Sequence, residues 1–236
     1  MTRHTLSHAD NLYAGDVFYS KYSPDGRRGY ELKHIVSIER GAIVTADPNG
    51  LILSLLATGS STTYTLDGAL VSGGVGTFDV PRVVSITGAT VDLSGVTFVI
   101  TGTDEYGETL VENIIGPNAT IAKGIKAFKT VTSITATVAI AATTCFAGHA
   151  DVFGFPVKIV DKGDVFAVAV DGVTQTTLTI VAGLTATTTM TATTADVRGT
   201  FAPGTAADGT KRFTALVILG SHDTKVNVFG EAQFGG

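Results

Sequence analysis

The sequence predicts an all-β protein: an antiparallel β-sandwich or barrel-like sheets, preceded by an extended N-terminal arm. Three observations carry this. Short runs rich in Val, Ile, Thr and Phe recur between clusters of Gly, Asp, Asn and Pro, which is the pattern of strands and turns. Regular helical periodicity is hard to find in any stretch. With 236 residues, 44% of them hydrophobic, the chain is long enough to bury a sizeable core.

The elements follow in order. Residues 1–30 are polar, rich in Tyr and broken by SPDGRRG, where Pro24, Asp25 and Gly26 make a turn; they read as an arm lying on something. Residues 1–45 form the arm and first strand, and 46–148 and 149–236 the two parts of a β domain, or one continuous domain. YELKHIVSIER fits a strand or a short helix, and ADPNG is a turn. Tyr64, Leu66, Leu70 and Phe78 are expected to face inward, and GGVG at Gly73–Gly76 is a turn. Pro81 is placed at the first residue of a strand, where no ladder donor is needed.

Val96, Phe98 and Ile100 alternate with Thr97, Val99 and Thr101, and the chain turns at DEYG before returning through ETLVENII; this is a hairpin. KAFKTVTSITATVAI is a long strand or strand pair. A change of character at GHADVFGFPVKI marks a boundary between sheets or subdomains. Two strands joined at DGVTQ come next, then ADGT as a hairpin-type turn, FTALVIL as a buried strand and TKVNVFGEAQF as the last one. TATTTMTATTA reads as a solvent-facing or interface strand. No repeat has a fixed period.

Charged residues make up only 16% of the chain, below the roughly 25% of an ordinary domain, so Thr, Ser and Gly must form much of the surface. The net charge of -5 argues against a nucleic-acid partner, because phosphate affinity comes from clustered Lys and Arg. The N-terminus lacks the apolar core of a signal peptide, and no run reaches the length of a membrane helix; neither export by the standard route nor a membrane partner is expected. Cys145, the one cysteine, lies in an apolar run and reads as a buried thiol.

Four carboxylates, Asp104, Glu105, Glu108 and Glu112, crowd into nine residues. Asp104 with Glu108 or Glu112 is the candidate pair for general acid–base chemistry, as in glycan hydrolysis, and the group also offers oxygens to a cation, without the spacing of an EF-hand. The simpler expectation is a type I turn from Asp104 to Gly107, with the glutamates in water. His4, His8, His34, His149 and His222 are scattered, and no nucleophile elbow, phosphate loop or paired CxxC occurs. No catalytic residue, metal site or cofactor is expected. Lys126 and Lys129, near Lys123, either guard an edge strand or meet an acidic partner.

ITGTDEYGETLVENIIGPN with KAFKTVTSITAT, and VRGTFAPGTAADGTKRFTALVI further on, resemble bacteriophage virion proteins over roughly Pro81 to Phe234. The resemblance implies a structural role, with capsid decoration or cement on the head exterior favoured over a tail or head-fibre component that binds host-surface carbohydrate. It implies the major capsid protein as partner, self-association as a homo-oligomer (a trimer, because lattice three-folds invite one), synthesis in the host cytoplasm and residence in the virion. Tyr13, Phe18, Tyr19, Tyr22, Arg27, Arg28 and Tyr30 of the arm, with Lys126 and Lys129, are the candidate partner-binding residues. Buried aromatics dominate interface energetics, and the alternative is that the tyrosines cover the protein's own sheet.

Overall fold

The computed structural model describes residues 16–22, 28–56, 62–141, 144–159, 161–183 and 198–220. The described residues form an all-β structure of antiparallel sheets. Its strands are β1 (Asp16–Tyr22), β2 (Arg28–Ala42), β3 (Thr63–Tyr64), β4 (Val71–Ser72), β5 (Val75–Thr87), β6 (Thr97–Thr103) and β7 (Thr109–Ile115), followed by β8 (Ile121–Ala136), β9 (Phe146–Gly154), β10 (Val165–Val170), β11 (Val173–Thr174), β12 (Leu178–Val181), β13 (Thr200–Pro203) and β14 (Arg212–Gly220). A capped 3₁₀ turn, Lys162–Asp164, leads into β10.

Two sheets result. The five-stranded one runs β1-β2-β14-β10-β11; the larger one runs β12-β13-β9-β5-β8-β6-β7, with β3 on β8 and β4 on β5, and curls into a half-barrel. Alternation sets the faces: in β6, Phe98 and Ile100 are fully buried while Thr97, Val99 and Thr101 are half-buried. Tyr64, Leu66 and Phe78 are buried, and Leu70 packs against the same cluster, as the sequence predicts. YELKHIVSIER resolves as strand, within β2.

Two cores sit side by side. The first fills the curl of the larger sheet, where Phe98, Leu110, Phe128 and Ile134 meet. The second lies between the sheets: Phe213 of β14 faces Phe153 of β9 at 5.3 Å between ring centroids, and Phe153 faces Phe201 of β13 at 5.5 Å. Each such fully buried ring contributes roughly 1.5–3 kcal/mol.

Two local expectations, at Pro81 and ADGT, change. Pro81 is interior to β5, where the β8 ladder jumps from Thr77↔Thr130 to Arg82↔Phe128; a bulge tolerates a proline as well as a strand start does. At GHADVFGFPVKI, where a change of sheet or subdomain is expected, the strand β9 carries the chain from the first core (Ala147) to the second (Phe153), and the next strand, β10, belongs to the five-stranded sheet. ADGT is a turn, with Gly209 at φ 87°, yet it links β13 in one sheet to β14 in the other and is no hairpin. The Gly73–Gly74 turn, at φ 60° and 80°, does close a tight hairpin between β4 and β5. TKVNVFGEAQF and TATTTMTATTA lie outside the described residues.

Candidate functional site

The carboxylate cluster is the natural place to look for chemistry. Its turn forms as the residue types dictate. Asp104 Oδ1 accepts from the amides of Tyr106 and Glu108 at 2.8 and 3.0 Å, the Gly107 amide donates to the Asp104 carbonyl at 3.2 Å, and Gly107 takes φ 84°, the left-handed residue that ends a three-residue hairpin loop.

Three of the four acids, Asp104, Glu105 and Glu112, are engaged within the protein rather than simply hydrated. Asp104 is buried, and its other oxygen pairs with the guanidinium of buried Arg198, just before β13. That guanidinium lies 4.8 Å from the Tyr106 ring centroid, and the Tyr106 hydroxyl donates to the Pro156 carbonyl at 2.8 Å. Glu105 takes both ends of Arg40 from β2, at 2.5 and 2.7 Å, while Arg40 also donates to the Gly154 carbonyl at 3.0 Å. Burial, then the Glu105 charge, raises the Tyr106 phenol above its ordinary value. The turn belongs to one end of the larger sheet and Arg198 to the other, so these contacts fasten the curl and tie it to the five-stranded sheet.

Glu112 is committed elsewhere. It is fully buried, and Leu110 and Ile114 flank it on the same face of β7. Its Oε1 accepts from the amides of Ile125 and Lys126 at 2.6 and 3.2 Å, where the β5 ladder skips from Val83↔Ala127 to Ser85↔Lys123. A carboxylate here replaces a missing strand. Gly124 makes the approach possible, because a Cβ there would stand 2.2 Å from Glu112 Oε2. The general acid–base reading needs carboxylates turned toward one point. Instead Asp104, Glu105 and Glu112 go to Arg198, Arg40 and a backbone bulge.

A second polar cluster, not anticipated from the sequence, centres on fully buried Arg82. Its Nε and Nη2 take both oxygens of Asp79 at 2.7 and 2.9 Å, Nη2 also donates to the Val44 carbonyl at 2.5 Å, and Nη1 reaches Asp151 Oδ1 and His149 Nδ1, each at 3.2 Å. Burial, and then the Arg82 charge, hold His149 down to about 4. Burial works against ionised Asp79, but its hydrogen bonds and charge interaction with Arg82 outweigh that and lower its pKa.

Of the candidate partner-binding residues, Tyr13 and Arg27 lie outside the described residues. Phe18, Tyr19, Tyr22, Arg28 and Tyr30 fall in the β1–β2 ribbon, where Phe18 opposes Leu32, Tyr19 opposes Glu31, Ser20 opposes Tyr30 and Tyr22 opposes Arg28. Part of the expected arm is thus the edge of a sheet. Lys126 and Lys129 stand on the stretch of β8 that pairs with β5 and lies before the β6 ladder, which begins at Thr130. Lys126 is buried and donates to the Val111 carbonyl at 2.9 Å; Lys129 donates to the carbonyls of Phe78 and Asp79 at 2.8 and 2.9 Å. Both ammoniums are bonded to backbone carbonyls of neighbouring strands.

Cys145 is fully buried, its Sγ faces the Gly88 carbonyl at 3.8 Å, and burial raises its pKa. His4, His8 and His222 lie outside the described residues. Among those described, no group of three or more His, Cys, Asp or Glu is placed to hold a metal ion, and no helix is long and apolar enough to cross a membrane. No protein-family model, curated protein or solved structure matches the chain.

Proposed function

We propose that the protein is a structural component of a phage particle, a decoration or cement protein that binds the outer capsid surface and bridges neighbouring subunits. One observation carries the reading. Of the three sequence phrases that resemble virion proteins, the first (100–118) and the last (197–218) are joined by the Asp104–Arg198 pair, which supports reading them as parts of one structural unit. The cluster that looked most like a catalytic site serves to hold that unit closed.

The physics of the role is consistent with this build. A plate fastened by buried ion pairs keeps its shape without a cofactor, and a Thr-rich surface with few long charged side chains loses little rotamer entropy on docking. Bridging several subunits multiplies weak contacts. The test is co-sedimentation of the purified chain with undecorated capsids at micromolar concentration. Saturable binding supports the proposal; no association, together with binding to host-surface glycans, favours a tail or fibre component instead.

A further inference from the structure

The seam between the two cores is built around His149 and Arg82. Val44, whose carbonyl accepts from Arg82, follows β2, and its amide donates to Asp79 at 3.0 Å. Asp151 Oδ2 accepts from the amide of Ala207 at 3.1 Å, in the loop entering β14. The His149 amide donates to the Asp47 carbonyl at 2.8 Å. Thus β5 and β9 of one sheet hold the chain ends of β2 and β14 of the other around Arg82 and His149. The His149 ring lies edge-on to Phe78 of the first core at 5.1 Å, and Arg82 covers Phe153 of the second at 5.2 Å.

We propose that this seam is an acid-loosened joint: lowering the pH from 7 to 5 makes the chain around Val44 to Asp47 and around Ala207 open more often from β5 and β9, while the curled sheet stays paired. A guanidinium only donates, so the His149 Nδ1 beside it must offer a lone pair and the ring proton sits on Nε2. A protonated ring has no lone pair and sets a second cation 3.2 Å from Arg82 Nη1. Asp79 from β5, Asp151 from β9 and Asp47 from the loop face the cluster, with Lys129 from β8 bound to the Asp79 carbonyl. The acids of Asp79 and Asp151 are already engaged by Arg82.

His149 titrates at about 4 in the closed seam against an ordinary value of about 6.5. An open seam, with the ring in water, therefore takes up its proton first. Between those values each pH unit downward favours opening by about tenfold, and a drop from pH 7 to 5 by about 20-fold.

Hydrogen exchange of the full chain at pH 7 and pH 5, corrected for intrinsic rates, tests this. The amides of Val44, His149 and Ala207 lose protection by about 20-fold at pH 5, while those of Ile100 and Ile134 in the β6–β8 ladder keep theirs. His149→Asn, which offers an acceptor that does not titrate, removes the pH dependence. Should that variant not fold, nuclear magnetic resonance of the native ring reads out directly: neutral, protonated at Nε2, down to about pH 4. Unchanged seam protection at pH 5, equal loss in the β6–β8 ladder, or a ring titrating near 6.5 in the folded protein overturns the proposal.

Discussion

Asp104 and Arg198, 94 positions apart in the chain, form an ion pair with both side chains almost wholly buried. Arg198 is also fixed through its backbone, since its carbonyl accepts from the Ile159 amide at 3.2 Å. Such a pair is weak evidence of net stabilisation, because desolvating two charges is costly. Breaking one partner is a different matter, since the survivor is left charged and buried.

Glu112 yields the sharpest contrast between two substitutions. Glu112→Gln keeps an oxygen that can accept from the Ile125 and Lys126 amides and is expected to cost about 1–2 kcal/mol. Glu112→Ala orphans both amides and opens a void beside Leu110 and Ile114, with an expected loss of about 3 kcal/mol or more. Denaturant midpoints of the two variants measure the difference. Equal losses would show that the carboxylate does not serve the bulge.

Acid sensitivity has a definite sign. His149 is held below its unfolded value, so the unfolded chain binds the extra proton between about pH 6.5 and 4, and global stability falls as pH drops through that window. The full effect is roughly 3 kcal/mol, already complete near pH 4. Asp79 is also depressed; its contribution is present above the ordinary carboxylate pKa and is lost as pH falls through its folded value. Denaturation curves from pH 7 to pH 4 should thus slope downward, and His149→Asn should flatten most of that slope.

Two glycines separate close approach from mere flexibility. A Cβ on Gly102 would lie 1.9 Å from the Thr130 carbonyl oxygen, whereas one on Gly95 meets nothing within 4 Å. Gly102 also sits where the β6–β8 register shifts. Gly102→Ala is expected to cost more than about 2 kcal/mol, because backbone must move; Gly95→Ala should stay within about 0.5 kcal/mol of the parent. Thermal melts of the pair, run together, check both.

The strand pattern was legible because a two-residue period shows wherever one face is buried, and Val96–Thr101 with its DEYG turn carries that period plainly. The division into two sheets was not. Period says which face of FTALVIL is apolar, but not that β14 pairs with β2 and β10 rather than with β13, the strand just before it. The roles of the acids were hidden for a similar reason: nothing local tells Asp104 that Arg198 will arrive from 94 positions away. A usable signal was present in two places. Glu112 shares the parity of Leu110 and Ile114 within ETLVENII, and Arg82 opens the apolar run VVSI. A charge on the core parity of a strand announces a buried partner.

A double-mutant cycle across Asp104→Asn and Arg198→Met tests the clasp most directly. If the acidic turn fastens the curled sheet, each single change costs about 3 kcal/mol or more, and the double variant recovers about 2 kcal/mol relative to the sum, because neither charge is then left buried alone. Additive losses, with coupling below about 0.5 kcal/mol, would contradict the account and return the acidic turn to the status of a hydrated loop.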